Sequence, residues 1–137
     1  MAGYSGTPLA KKLGIKEGSK MLLVNRPSHY FELFEDFPND VLVHESQSVD
    51  LYDIIHFFTT SKDDLHAQLP KLKNKIEQNG MIWVSWPKGK SKIPKDLIED
   101  DIRNLMLTID MVDVKVCAVD EDWSGLKGVI RVEKRKV

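Results

Sequence analysis

With 137 residues, 20 basic and 21 acidic side chains, a formal charge of −1 and 42% hydrophobic residues, the sequence reads as one folded domain spanning residues 1–137. That balance excludes a disordered or fibrous chain and any overall field pulling the protein toward nucleic acid or an anionic membrane, while leaving local patches open. Folding a chain of this length removes roughly two-thirds of its surface from water, enough for a core without covalent staples.

The opening Met-Ala-Gly-Tyr-Ser-Gly has neither the basic segment nor the apolar run of a secretory leader. No apolar run approaches the ~20 residues needed to cross a bilayer. With Cys117 as the only cysteine, a reducing, cytoplasmic setting is expected. Thr7 is placed to cap a short helix starting at Pro8, with Leu9 and Leu13 on one face and Gly14 as its stop. Lys20–Val24 is a continuous apolar run that suits a strand covered on both faces. Asn25-Arg-Pro-Ser28 ends it, and Ser28 is positioned to cap a helix through Tyr30, Phe31, Leu33, Phe34 and Phe37. Val41–Glu45 predicts a second strand, Ser46–Ser48 a polar connection, and Tyr52–Thr60 a third strand.

Ser61, with Asp64 three residues on, predicts a capped helix whose apolar stripe is Leu65, Leu69, Leu72 and Ile76. Pro70 predicts a kink or a late start, and Asn79-Gly80 the end. Met81–Trp86 is the next strand, followed by a cationic turn, Lys88–Lys92. Pro94 can begin a helix carrying Ile98, Ile102, Leu105 and Ile109. Glu99, Asp100 and Asp101 fall at its start, where neighbouring carboxylates point in different directions and suit the helix dipole better than a metal. Val112–Val119 and Leu126–Val132 are joined so closely that they must be antiparallel. Cys117 within the first of them reads as a small buried hydrophobe, and Glu133–Lys136 as a charged tail that frays.

Strands alternating with helices and closed by a hairpin predict a three-layer Rossmann-like α/β domain, its mainly parallel sheet ending in a C-terminal antiparallel hairpin. Ligands of such sheets collect beyond the carboxyl ends of the strands. This selects Asn25, Arg26, Ser28, Glu45, Thr59, Thr60, Trp86, Lys88 and Lys90 as candidate ligand-binding residues. Their amides, hydroxyls and cations suit a small anionic or nucleotide-like ligand, with Trp86 as a stacking surface and Lys88 and Lys90 as charge partners. Trp83 and Trp86 point to opposite faces by strand alternation, which makes Trp83 a core residue. Trp123, in the hairpin loop, either folds back onto the sheet or contacts a partner protein. Four scattered histidines and one cysteine supply no metal spacing, and no motif points to nucleic acid or a membrane. His56 reads as a hydrogen-bonded core histidine, and Ser85, mid-strand, as badly placed for a nucleophile.

Tyr52–Phe58, Leu69–Ile76 and Asn79–Ser85 resemble the fourth strand, following helix and fifth strand of Rossmann-like methyltransferases, and in order of elements the likeness runs from Lys20 to Val132. The resemblance implies S-adenosylmethionine as cofactor and sets Glu45 where that family's ribose-binding acid stands. The chain departs from the pattern after its first strand, where Asn25-Arg-Pro-Ser-His-Tyr30 replaces an acidic residue and a glycine-rich turn. That departure argues against close backbone approach to a cofactor. The expectation is therefore a non-catalytic ligand- or partner-binding module on a methyltransferase-like scaffold; the alternatives are an S-adenosylmethionine-dependent methyltransferase and a subunit of a larger assembly. Gly3–Gly14, Met81–Lys88 and Val114–Asp120 with Trp123–Gly125 also resemble an uncharacterised bacterial domain family, which implies no activity.

Overall fold

The computed structural model describes residues 7–46 and 51–136. The opening residues Gly3–Gly6 and most of the expected Ser46–Ser48 connection lie outside them. The first helix, α1, is Leu9–Leu13; Pro8 is its N-cap rather than its first turn, no side chain caps it, and Gly14 closes it at φ 81. The N-cap position thus falls on Pro8, one residue after the expected Thr7. Strand β1 is Lys20–Val24 and β2 is Leu42–His44, shorter than the apolar run suggested.

Between them only a 3-10 turn forms, at Tyr30–Leu33, and Phe34 is already extended. The helix expected from Ser28 is absent because these aromatics pack on one another: Tyr30 meets Phe34 at 5.2 Å and Phe34 meets Phe37 at 5.0 Å between ring centroids. Aromatic side chains lose rotamer freedom in a helix, and Phe37 precedes a proline that disfavours helical backbone.

Strand β3 is Tyr52–Phe58, and α2, Lys62–Lys73, starts as expected, with the Ser61 hydroxyl accepting from the Asp64 amide at 3.0 Å. Pro70 lies within its last turn, so the proline is accommodated just before the helix stops at Asn74. Ile76 does not extend the helical stripe. It opens β4, Ile76–Pro87, and pairs with Tyr52. Helix α3 is Glu99–Thr108, β5 is Met111–Ala118 and β6 is Trp123–Ile130. The start of α3 falls five residues after Pro94; the Asp101 carboxylate accepts from the Ile98 amide at 2.8 Å, while Glu99 and Asp100 pair with Arg103.

The sheet order is β2-β1-β3-β4-β6-β5. Strands β1 to β4 run parallel, and β6 is antiparallel to both β4 and β5. Chain order thus reverses between β1 and β3. Helices α2 and α3 cover one face, burying Leu65, Leu69, Leu72, Ile102 and Met106 against Ile55, Phe57, Ile82, Val84 and Leu126. On the other face α1 and the aromatic turn bury Leu13 and Tyr30 with Met21, Leu23, Phe58, Trp83 and Trp123. These are the three layers expected.

The long β4 slips in register against β3 between Tyr52 and Ile54, and Gly80 sits at the slip. A Cβ there would lie 3.1 Å from the carbonyl oxygens of Tyr52, Asp53 and Glu77. Backbone on three sides cannot yield as a side chain would, so Gly80→Ala is expected to cost about 1–3 kcal/mol by overpacking. Urea unfolding that showed no loss would contradict that reading.

Candidate functional site

At the reversal of strand order, β1 and β3 present their carboxyl ends side by side, the position at which open α/β sheets hold ligands. The first residue after β1, Asn25, takes φ 59. This left-handed conformation is tolerated by asparagine better than by most residues with a Cβ. Its side-chain amide donates to Phe58 O at 3.2 Å and to Asp64 Oδ2 at 3.3 Å, and the Thr59 hydroxyl donates to the same Asp64 oxygen at 2.9 Å. Asp64 lies in the first turn of α2, where a carboxylate is favoured by the exposed amide dipoles. The sequence marked Asp64 only as part of a helix cap; its role in joining β1 to β3 has no local signal, because its partners lie in other loops.

Next to this, Glu45 follows β2 and accepts from Arg26 Nε at 2.6 Å. Arg26 also donates to the carbonyls of Pro27 and Ser28 and lies 5.2 Å above the Phe31 ring. The Glu45 side chain keeps 55% of its surface exposed, so its carboxylate is oriented by the guanidinium yet open to solvent. Asn25, Arg26, Ser28, Glu45 and Thr59 are therefore gathered around the ends of β1, β2 and β3.

The remaining candidates are not drawn into that group. Thr60 is exposed and its carbonyl accepts from the Asp96 amide. The turn holding Lys88 and Lys90 is fastened to the hairpin loop: Lys88 N donates to Asp122 O at 2.7 Å and Ser91 Oγ to Asp122 Oδ1 at 2.9 Å. Trp86 is 7% exposed and packs in the core beneath α2 and α3, which removes it as a stacking surface. Its strand alternation carries it under the sheet instead of into the loop. Trp123, 8% exposed, has folded back and meets Phe58 edge-on at 5.0 Å, so the partner-contact role is corrected to a core one.

A second polar group lies wholly inside. The Tyr30 hydroxyl is 2.9 Å from His56 Nδ1, and His56 Nε2 is 2.7 Å from Ser85 Oγ. A neutral imidazole offers one donor and one acceptor, which matches one hydroxyl on each side. Burial pushes His56 down to about 3 and raises Tyr30. All three residues are fully buried, so this is the hydrogen-bonded core histidine that the strand pattern implied. Among the described residues no group of three or more histidine, cysteine or acidic side chains could hold a metal ion, and no helix is long and apolar enough to cross a membrane.

No family model matches the chain, and no curated protein matches it. Solved structures do. A SAM-dependent methyltransferase from Aquifex aeolicus aligns at a TM-score of 0.61 with 13% identity, over 89% of this chain and 87% of that one. The magnesium protoporphyrin IX methyltransferase of Synechocystis PCC 6803, with bound SAH, aligns at 0.58 with 9% identity, over 88% and 78%. The fibrillarin pre-rRNA processing protein of Methanococcus jannaschii aligns at 0.59 with 11% identity, over 91% and 69%. The fold is Rossmann-like and methyltransferase-like. These likenesses correct the expectation of a non-catalytic binding module in favour of its methyltransferase alternative, because several solved structures with this fold are described as methyltransferases.

Proposed function

We propose that this domain binds S-adenosylmethionine at the carboxyl ends of β1 and β2 and serves methyl transfer. The observation that carries the reading is Glu45, an oriented and open carboxylate at the end of β2, beside the reversal of strand order. Asn25 meets the conformational half of the objection from the missing glycine turn, supplying at φ 59 the backbone geometry for which glycine is the usual choice while keeping its Cβ. The residues thus fit the group: the Glu45 carboxylate toward ribose hydroxyls, with the chain after β1 beside it.

Bound there, the cofactor supplies a methyl group activated by a sulfonium centre, taken directly by the lone pair of an acceptor. The chain's own contribution is positional. Arg26 fixes the Glu45 carboxylate, and the bridge from Asn25 and Thr59 to Asp64 holds the two loops at a constant separation, so little ordering remains for the moment of binding. A cytoplasmic setting accords with a single cysteine that forms no disulfide.

Isothermal calorimetry tests this reading. Both S-adenosylmethionine and its demethylated product are expected to give saturable heat, and Glu45→Ala is expected to weaken binding about 10- to 100-fold, the loss of a hydrogen bond to a charged group. Absence of heat with either compound would overturn it.

A further inference from the structure

The terminal hairpin carries a feature that no motif announces. Lys115 of β5 and Lys127 of β6 are cross-strand partners on the α1 side of the sheet. Side chains directly opposite have Cβ atoms about 5 Å apart, and like charges so placed repel. Lys16, from the loop after α1, adds its charge to theirs, and burial together with both neighbours lowers the pKa of Lys127. Lys12 of α1 and Lys115 both act on Cys117, two residues further along β5. Among the described residues no carboxylate forms an ion pair with Lys12, Lys16, Lys115 or Lys127. Asp113, the nearest acid on β5, is turned to the other face by a register shift and is held by Arg103. What steadies Lys115 is the Trp83 ring, 5.9 Å from its ammonium, which keeps the charge lying across β6.

We infer that this face of the hairpin binds the phosphate backbone of a nucleic acid single strand. Cations with no ion-pair partner among the described residues, two of them directly opposite across the hairpin, in a chain of net charge −1, call for an anionic partner. The surface is a sheet face that includes the edge strand β5, with Lys16 and Lys115 exposed and Lys12 and Lys127 half-buried, and scattered ammonium groups hold an isolated phosphate only weakly against water. A chain of phosphates gains affinity from each ammonium it meets by releasing condensed counterions. Lys127 lies on β6, four strand positions from β2 and so roughly 19 Å across the sheet from Glu45, which makes this surface separate from the proposed cofactor site.

The probe is a mixed-sequence single-stranded RNA of roughly 16 nucleotides, followed by fluorescence polarisation between about 50 and about 200 mM salt. Four phosphate contacts predict a slope of log K against log salt of about −2.8, and Lys115→Gln with Lys127→Gln is expected to reduce it by about 1.4 units. The charge-retaining pair Lys115→Arg with Lys127→Arg is expected to keep both the slope and the affinity. Relief of the opposed charges should leave the melting temperature of the glutamine pair unchanged or higher, and Lys16→Gln provides a second loss of slope outside the sheet. Absence of RNA binding at the lowest salt, equal binding by the glutamine pair, or equally tight binding of polyglutamate would each overturn the assignment. Calorimetry with S-adenosylmethionine on the glutamine pair is expected to match the unaltered protein, so failure here is distinguishable from failure at the cofactor site.

Discussion

Acidifying the folded protein from pH 6.5 to about 4 is expected to cost about 3 kcal/mol of stability through His56 alone. The cause is the burial that pushes this imidazole down to about 3 from an unfolded value of 6.5. Between those two values the unfolded chain takes up a proton that the folded chain refuses, so stability rises with pH across the window. The contribution is therefore complete above 6.5 and is lost as pH falls toward 3. The ring is fully buried: Tyr30 and Ser85 occupy its two nitrogens, and the Phe58 ring stacks on it at 4.3 Å. His56→Gln preserves some hydrogen bonding but has no titration, so it should lower stability at neutral pH and flatten the acid slope. Urea unfolding at several pH values reads both. Identical slopes in the two proteins would show that His56 is not the group responsible.

The same histidine illustrates what was legible from residues alone. A polar side chain inside an uninterrupted apolar strand signals a satisfied core group, and that reading needs only β3. Its partners were not legible, because Tyr30 was expected on a helix face and Ser85 lies in another strand; only the sheet register brings the three together. The candidate site divides in the same way. Asn25, Arg26, Glu45 and Thr59 follow strands whose apolar runs are unmistakable, so the rule for the ends of parallel strands found them. Asp64 escaped notice because its local role as a capping residue already accounted for it. Trp86 was not legible for a different reason: it adjoins the cationic turn in sequence, yet β4 runs on to Pro87 and both faces of the sheet are covered, so the face opposite Trp83 is core as well. The Lys115 and Lys127 pair shows the limit most plainly, since a register shift of one residue on β5 decides which charges share a face.

Trp83→Ala is expected to remove about 3–5 kcal/mol, a large share of the stability of a domain this size. The indole is fully buried at the centre of the sheet, on the face covered by α1, and its Nε1 donates to Leu13 O at 2.8 Å. That bond links β4 to the end of a five-residue helix too short to persist by itself. On the far side, a Cβ at Gly125 would lie 3.1 Å from the indole Cε3, so this neighbour on β6 has no side chain and cannot swing in to fill the void. Two losses therefore combine, a cavity that cannot collapse and an orphaned carbonyl at the end of α1. Trp83→Phe separates them, because it refills most of the volume without restoring the donor. It is expected to recover more than half of the deficit, leaving a loss of about 1–2 kcal/mol from the missing hydrogen bond and the residual gap. Hydrogen exchange supplies the local readout: amides around α1 should lose protection in both variants, whereas those of α2 and α3, on the opposite face, should follow global stability alone. If Trp83→Ala moved the urea midpoint by less than the equivalent of about 1.5 kcal/mol, or left α1 protected, the indole would not be the pin that joins α1 to the sheet.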